Sequence, residues 1–357
     1  MAKDHYIPAL LLGRFSNDLD DRVRNRTVYV CRRGSGRVRP SRVSRLGYVN
    51  NLYGANNSSL NVDSSLTGYE RQLRTTLDRV KRAHKIDLET WLRVLVPFVA
   101  SMFVRGFEFS ERFESRPIVN AVRAAGLVDE DNTNRARLME MQLLLAPVMC
   151  ARWVVMHHRG QETFIINDLG LMGTRDVHRA ESGWAIPIGL RTIIGIFPRQ
   201  IATIAHHQRG SWVPVLEHRE VGTHEFHGAN QGMAHFATQW IAGCDPTTVE
   251  KYRQQLDGGP DDPSRIMNFW PFTHRALVTH KLEWHRLVSA TASNAPPDQI
   301  EDLQSVDWTS ISKGYSPAVV YTLNQAAEMP TGLIRRGGNI SLSLHEVDNY
   351  GDYFIHP

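Results

Sequence analysis

The sequence predicts an α+β fold: an N-terminal β-hairpin arm, a central helical block, and an antiparallel sheet with flanking helices. Three observations predict it. Apolar and polar residues alternate on both sides of Gly34-Ser35-Gly36. Between residues 70 and 105 the apolar positions recur at helical spacing. From residue 151 onward, short β-rich runs separated by polar turns take over.

The chain opens with "KDHYIPALLLGRFS" (3–16), where His5 and Tyr6 stand before an Ile-Pro step and three leucines. His5 is a candidate general base, metal ligand or phosphate partner. In the competing reading, Tyr6 and the leucines tie the segment to a core and His5 bonds a backbone carbonyl. In "TVYVCRRGSGRVRPSRV", Val28 and Val30 share one face and the glycines supply a turn, which predicts a hairpin. The stretch from Leu46 to Glu70 is dense in Asn, Ser and Gly and reads as loop.

Leu73, Leu77 and Val80 predict a helix, and Asp87 is a plausible cap for a second one carrying Trp91, Leu92 and Leu95. Pro97 should kink or restart that helix, and Arg105 near its far end should sit beside a core. A third helix is expected at 133–149, capped by Thr133. Runs 153–156 and 163–166, with a polar turn between them, predict a second hairpin. "GWAIPIGLRTIIGIFPR" predicts one or two short strands, and 228–242 a helix after a loop in which Gly228 breaks the helical run. A short helix capped by Asp245 or Thr247 and a C-terminal strand beginning at "NISLSL" complete the reading. A boundary is expected near 245: a core over 1–245 and an extension over 246–357 packed on it.

Composition excludes several classes. The chain is 42% hydrophobic and 22% charged, in the range of globular proteins. No run of about 18 apolar residues exists, so no membrane partner is expected. Neither a signal peptide nor a nucleotide-binding glycine loop nor a Gly-x-Ser-x-Gly elbow is visible. Cys31, Cys150 and Cys244 lie far apart and form no metal or disulfide pattern, so a reducing cytoplasm is expected.

Net charge is +4 but uneven: Lys3 and ten arginines against four aspartates give residues 1–50 a charge of +7. The basic arm at 22–45 could meet nucleic-acid phosphates, or be a solvated hairpin with few aromatics for base stacking. Asp168, preceded by Asn167 at the end of an apolar strand, is a candidate carboxylate, or else the head of an Asx turn. "THEFHGANQGMAH" gathers His224, Glu225, His227, Asn230 and His235, but not at the His-Glu-x-x-His spacing of a zinc helix. "MHHRG" and "AHHQRG" read as polar turns.

These segments, in this order, resemble the bacterial family called domain of unknown function 4238. "HYIPALLLGRFS" resembles its opening His-Tyr-Val/Ile-Pro-Gln motif, and "LVPFVASMFVRGFEFSERF" its helix ending in Arg. "RWVVMHHRGQETFIINDLGLM" resembles its Trp strand and its strand ending in Ser-Asp-Asn-Pro, and "ANQGMAHFATQWIAG" its Asn-bearing helix. The resemblance points to His5, Arg105, Asp168 and Asn230, and implies no established activity. It also marks departures: Ala9 stands for the family's Gln, Asn167 for its Ser or Thr, and Leu169-Gly170 for its Asn-Pro. If those residues are catalytic in relatives, this member is altered or inactive.

The first expectation is an intracellular effector enzyme acting on nucleic acid or another phosphate ester. His5 would be acid or base, Asp168 would orient it or hold a divalent cation, and Arg105 would hold phosphate, with Tyr6, Asn167 and Asn230 as binding residues. In that arrangement His5, Asp168 and Arg105 meet in one cleft. The second expectation is a non-catalytic binding or sensor protein in which the same residues form a buried polar network. Metal-dependent hydrolysis through the 224–235 histidines is the third. A role in phage defence is an expectation drawn from the kind of family alone.

Overall fold

The fold is described from a computed structural model. It describes residues 3–18, 22–50, 52–53, 69–106, 109, 134, 137, 141, 144, 148, 151–176, 181–201, 204–206 and 212–259.

Two main sheets carry the architecture, which is α+β. One has the strand order β12-β5-β9-β8-β7, built from β5 (Ala151–His157), β7 (Met172–Asp176), β8 (Glu181–Gly189), β9 (Thr192–Ile201) and β12 (Glu217–Glu220). Its pairings are antiparallel except at the edge, where β12 runs parallel to β5. The other has the order β3-β2-β13-β6, from β2 (Thr27–Arg32), β3 (Val38–Arg42), β6 (Ile166–Asn167) and β13 (Trp240–Gly243). Two further pairs stand apart: β1 (Lys3–His5) with β4 (Tyr48–Asn50), and β10 (Ile204–His206) with β11 (Trp212–Pro214).

The helical block follows its periodicity. After the short α1 (Ala9–Leu12), α2 (Glu70–Val80) buries Leu73, Thr76, Leu77 and Val80 on one stripe. Asp87 caps the next helix: its carboxylate accepts from the Thr90 backbone N–H (2.8 Å) and the Thr90 hydroxyl (2.9 Å). That helix runs through α3 (Leu88–Thr90), a wider π turn (Trp91–Leu95) and α4 (Val96–Val104). Pro97 sits in the first turn of α4, where the π widening has already displaced the hydrogen bond that proline's missing N–H would break. Every residue of α4 is buried. Trp91 meets Trp153 of β5 at 4.4 Å between ring centroids, and Phe103 meets Trp184 of β8 edge-on at 5.0 Å, so this helix covers the five-stranded sheet. Residues 134, 137, 141, 144 and 148 are helical and buried, matching the periodicity of the helix expected at 133–149.

The hairpin around Gly34-Ser35-Gly36 is formed by β2 and β3, but the arm is not a free appendage. β2 pairs with β13, so the arm is one half of the four-stranded sheet. The hairpin predicted between 153–156 and 163–166 is not formed. β5 pairs with β9 and β12, whereas the second run feeds β6, which pairs with β13 in the other sheet. The physical reason is burial. Six of the seven β5 residues are buried, so the strand needs partners on both edges and cover on both faces, which a two-stranded hairpin does not supply.

Two boundaries also differ around residue 228. Helix α5 (Thr223–Phe236) contains Gly228 in its interior, and the end of the predicted helix is instead strand β13. Gly222 caps α5, and the Glu225 side chain returns to its N–H (3.2 Å). Phe226, Asn230, Met233 and Ala234 are buried on one stripe, and this burial outweighs the cost of one exposed glycine, about 1 kcal/mol. Past residue 245, α6 (Pro246–Lys251) is capped by Asp245 and packs on β2 and β13, and α7 (Arg253–Asp257) packs on α5. The expected C-terminal strand lies outside the described residues. Among the described residues no helix is long and apolar enough to cross a membrane.

Candidate functional site

The opening segment is seated on the core by its backbone. The N–H groups of Tyr6 and Ile7 both donate to the Gly47 carbonyl (2.9 and 3.2 Å). Gly47 has φ of 64°, and a Cβ there would lie 2.9 Å from Leu12 and 3.2 Å from Ile7, so glycine is required on both counts. Tyr6 is buried, and its hydroxyl receives the Trp240 indole N–H of β13 (3.3 Å). His5 is half-buried on β1, its ring edge-on to Tyr48 of β4 at 5.9 Å.

Trp240 links this segment to Asp168. Its carbonyl accepts the Asp168 backbone N–H (3.1 Å). The Asp168 carboxylate, fully buried, accepts from the backbone N–H groups of Thr238 (2.9 Å) and Gln239 (2.7 Å) and from the Thr238 hydroxyl. Asp168 therefore fastens the connection between α5 and β13. Burial pushes its acid up from the usual carboxylate range, against the pull of these three donors. The Asn167 amide, also fully buried, donates to the carbonyls of Leu171 and Met233 (3.0 Å each). The turn closes by a bond from Gly170 N–H to the Asn167 carbonyl (3.0 Å). Asn230 of α5 accepts from Ile165 N–H (3.0 Å) and donates to the Thr163 carbonyl (3.2 Å), tying α5 to the approach to β6.

Arg105 lies in a second buried cluster, at the end of α4. Its Nη1 donates to the Tyr69 hydroxyl (2.9 Å) and pairs with Glu70 (2.8 Å). The Tyr69 hydroxyl meets Ser101 Oγ, which donates to the Phe98 carbonyl (2.7 Å). Because that carbonyl only accepts, the chain has one direction: Arg105 to Tyr69, Tyr69 to Ser101, Ser101 to Phe98. Burial, the largest influence, pushes the Tyr69 phenol up to about 12. Burial opposes the Arg105 charge, but Tyr69, Tyr53 and Glu70 outweigh it and hold its pKa above the ordinary arginine value. Arg137, fully buried as well, donates to the carbonyls of Val104 and Gly106 and lies over the rings of Phe109 (4.6 Å) and Tyr53 (5.6 Å). Asp4 accepts from the Tyr53 N–H (3.1 Å).

The predicted site residues thus fall into two groups. Tyr6 and Asp168 both bond Trp240, and Asn167 and Asn230 tie the same region to α5. Arg105 belongs to the other cluster. No hydrogen bond, ion pair or ring contact joins any two of His5, Asp168 and Arg105. Sequence reasoning missed Asp4, Tyr53, Tyr69, Glu70 and Arg137 as site residues, although Asp4 stands beside His5 in the opening segment.

In the histidine-rich stretch His224 and His235 are exposed, while His227 and Glu225 are tied to neighbouring elements. His227 bonds the Tyr252 hydroxyl (2.8 Å) and faces Glu162 (3.5 Å), while Glu225 pairs with Arg219 (3.1 Å). Among the described residues no group of three or more His, Cys, Asp or Glu is set to hold a metal ion. "MHHRG" is not a polar turn: His157 ends β5 and bonds His218 of β12 (3.0 Å), whose other nitrogen donates to the Ala83 carbonyl (3.0 Å). His158 is buried and stacks on Phe226 at 3.9 Å.

The densest exposed charge lies on the arm. Arg24, Arg32, Arg37, Arg39, Arg42 and Arg45 are exposed, and among the described residues none of these guanidiniums has a hydrogen bond or ion pair. The hairpin is held from behind: Gly34 N–H donates to Asp257 (2.9 Å), Arg253 to the Gly36 carbonyl (3.1 Å), and Arg33 to the Ala237 carbonyl (2.6 Å). An open groove between β3 and α6 is lined by Arg37, Arg39, Thr247, Glu250 and Lys251. Glu250 is already paired with Arg253 (2.6 Å) and Lys251 with Glu162 (2.7 Å).

The family model "Protein of unknown function (DUF4238)" matches residues 3–247. The chain belongs to this family. The match includes both main sheets, the arm, and all six predicted site residues. No curated protein and no solved structure matches the chain.

Proposed function

We propose that this member of the DUF4238 family is a binding protein for nucleic acid. It grips the phosphate backbone through the arm 22–45, and its buried polar residues lock the scaffold that presents the arm. The observation that carries this is the set of six exposed arginines, unpaired among the described residues, four on a hairpin fixed to α7 and two, Arg24 and Arg45, flanking it. A guanidinium is always charged and takes phosphate oxygens in pairs. Holding the hairpin in place lowers the ordering cost on binding. The arm's one aromatic, Tyr29, is half-buried, so contact is to the backbone and carries no base readout. The free thiols Cys31 and Cys244 fit a reducing cytoplasm.

An acid–base role for His5 and Asp168 asks for contact between them and an open carboxylate. Asp168 is fully buried with its oxygens committed to Thr238 and Gln239, which favours the structural reading.

The test is fluorescence anisotropy with a labelled duplex over a salt series. Log affinity should fall linearly with log salt, by about 0.9 for each phosphate neutralised. Arg37→Ala/Arg39→Ala/Arg42→Ala should weaken binding to every sequence alike and reduce the slope by up to about 2.7. Salt-independent binding, or equal binding by the triple variant, would sink the proposal.

A further inference from the structure

The guanidinium of Arg105 offers two faces to its surroundings. Nη1 has two partners, Tyr69 and Glu70. Nε and Nη2 are both buried, and among the described residues neither has a hydrogen-bond partner. These two nitrogens are not an arbitrary pair. Their N–H bonds point the same way along one edge of the planar group, the side-on fork that matches the two oxygens of a carboxylate or phosphate. The side chain is 0% exposed, so bulk water does not satisfy that edge. A buried charged donor left unmade is costly, and native structures rarely tolerate two on one group.

The charge balance around the edge points the same way. Arg105 and Arg137 are both fully buried, and the ring of Tyr53 faces Arg137 at 5.6 Å. The acid that pairs with Arg105 is Glu70, whose side chain is 28% exposed and which reaches only Nη1. Tyr69, whose hydroxyl receives Nη1, packs edge-on against Phe98 at 6.2 Å. An anion placed on the Nε/Nη2 edge would supply the missing acceptor and a second negative charge in a low-dielectric setting, where charge-assisted hydrogen bonds are strongest.

We infer that the side-on edge of Arg105 is the seat of a small oxyanion, a carboxylate or phosphate group, bound inside the fold and separate from the arginine arm. The inference does not rest on the nucleic-acid reading, since none of the arm's exposed arginines belongs to the cluster.

The test is isothermal titration calorimetry of the full chain with inorganic phosphate and, separately, with acetate. The wild type should bind one of them saturably at one site per chain, and the probe that saturates identifies the group. Arg105→Lys keeps the charge but lacks the fork, and should weaken that binding at least about tenfold. Arg37→Ala/Arg39→Ala should leave it unchanged, which separates this site from phosphate held on the arm. Equal binding by the Arg105→Lys variant, or saturable binding of neither probe, overturns the inference. If that variant fails to fold, a crystal structure of the wild type grown with the binding probe decides. Two anion oxygens within hydrogen-bond distance of Nε and Nη2 support the inference, and a lone water or an intruding protein carbonyl there overturns it.

Discussion

Asp168→Asn separates the catalytic and structural readings of the strand-end carboxylate, because it preserves shape and removes only charge and acceptor capacity. The wild-type carboxylate receives three donors: Thr238 N–H on Oδ1, and Gln239 N–H with the Thr238 hydroxyl on Oδ2. An amide has one acceptor oxygen and one NH2. Placed with its oxygen toward Gln239, it keeps two donors and turns its NH2 against Thr238 N–H. In the flipped orientation it keeps one and faces two. The better choice still leaves one buried backbone N–H unmade, at about 1–3 kcal/mol, and weakens two charge-assisted bonds to neutral ones. The expected loss is about 2–4 kcal/mol of folding stability, a large share of what a domain possesses. Urea denaturation should show a lower midpoint with an unchanged slope. Thr238→Val in the same background should cost less than it does in wild type, since the two residues share a bond. A variant within about 0.5 kcal/mol of wild type would refute the reasoning and return Asp168 to the list of functional carboxylates.

Two other outcomes test the fold. His157 and His218 titrate below the ordinary histidine value, each chiefly through burial, with His218 acting on His157 and His84 on His218. The unfolded chain therefore binds more protons than the folded one, and stability is fully present above the unfolded pKa of about 6.5 and is lost as pH falls below it. Both rings are half-exposed, so the slope per group stays well under the limit of about 1.4 kcal/mol per pH unit, and His157→Gln/His218→Gln should flatten the pH 5–7 region of a denaturation series. Gly228→Ala should stabilise by about 0.5–1 kcal/mol, read as a higher melting temperature, because the position is inside α5, exposed, and a Cβ there meets nothing within 4 Å.

The parts of this fold legible in the sequence are those where local chemistry decides. The β2–β3 hairpin is written in alternation around three turn residues, and α2 in the spacing of Leu73, Leu77 and Val80. Pairing between distant strands is not written locally. β5 is apolar on both faces, so its sequence does not say whether its neighbour is β6, which begins nine residues after it ends, or β9 and β12. "QWIAG" is a short apolar run of the kind that fits a buried strand or a buried helix, and only its place between β2 and β6 makes it β13. At the candidate site, Arg105 stood out as a charge ending an apolar helix, and Asp168 as a carboxylate ending an apolar strand. Their partners did not, because Glu70 and Tyr69, and Thr238 and Gln239, gain meaning only when the chain folds back. His5 carried the motif's chemistry, yet it is Tyr6 whose side chain reaches the core.

Arginine supplies 35 of the 41 basic residues, and the structure puts it to two opposite uses that lysine does not combine. Buried arginines are spread over ring faces and carbonyl or carboxylate oxygens. Arg137 lies over Phe109, and Arg152 over Phe197 at 4.7 Å with an edge on Glu217 (2.9 Å). A weakly hydrated planar cation tolerates that setting, whereas a buried ammonium would tend to lose its proton. Among the described residues six exposed arginines of the arm have no side-chain partner, and a folded chain has no reason of stability to concentrate them on one short segment, since their mutual repulsion opposes it. Elsewhere in the described residues some arginines pair, as Arg14 with Asp78 and Arg219 with Glu225, while exposed Arg71, Arg74, Arg82 and Arg191 do not, and these four are spread over the body. What sets the arm apart is density, six such charges between residues 24 and 45, and that clustering is the feature that asks for a partner of opposite sign.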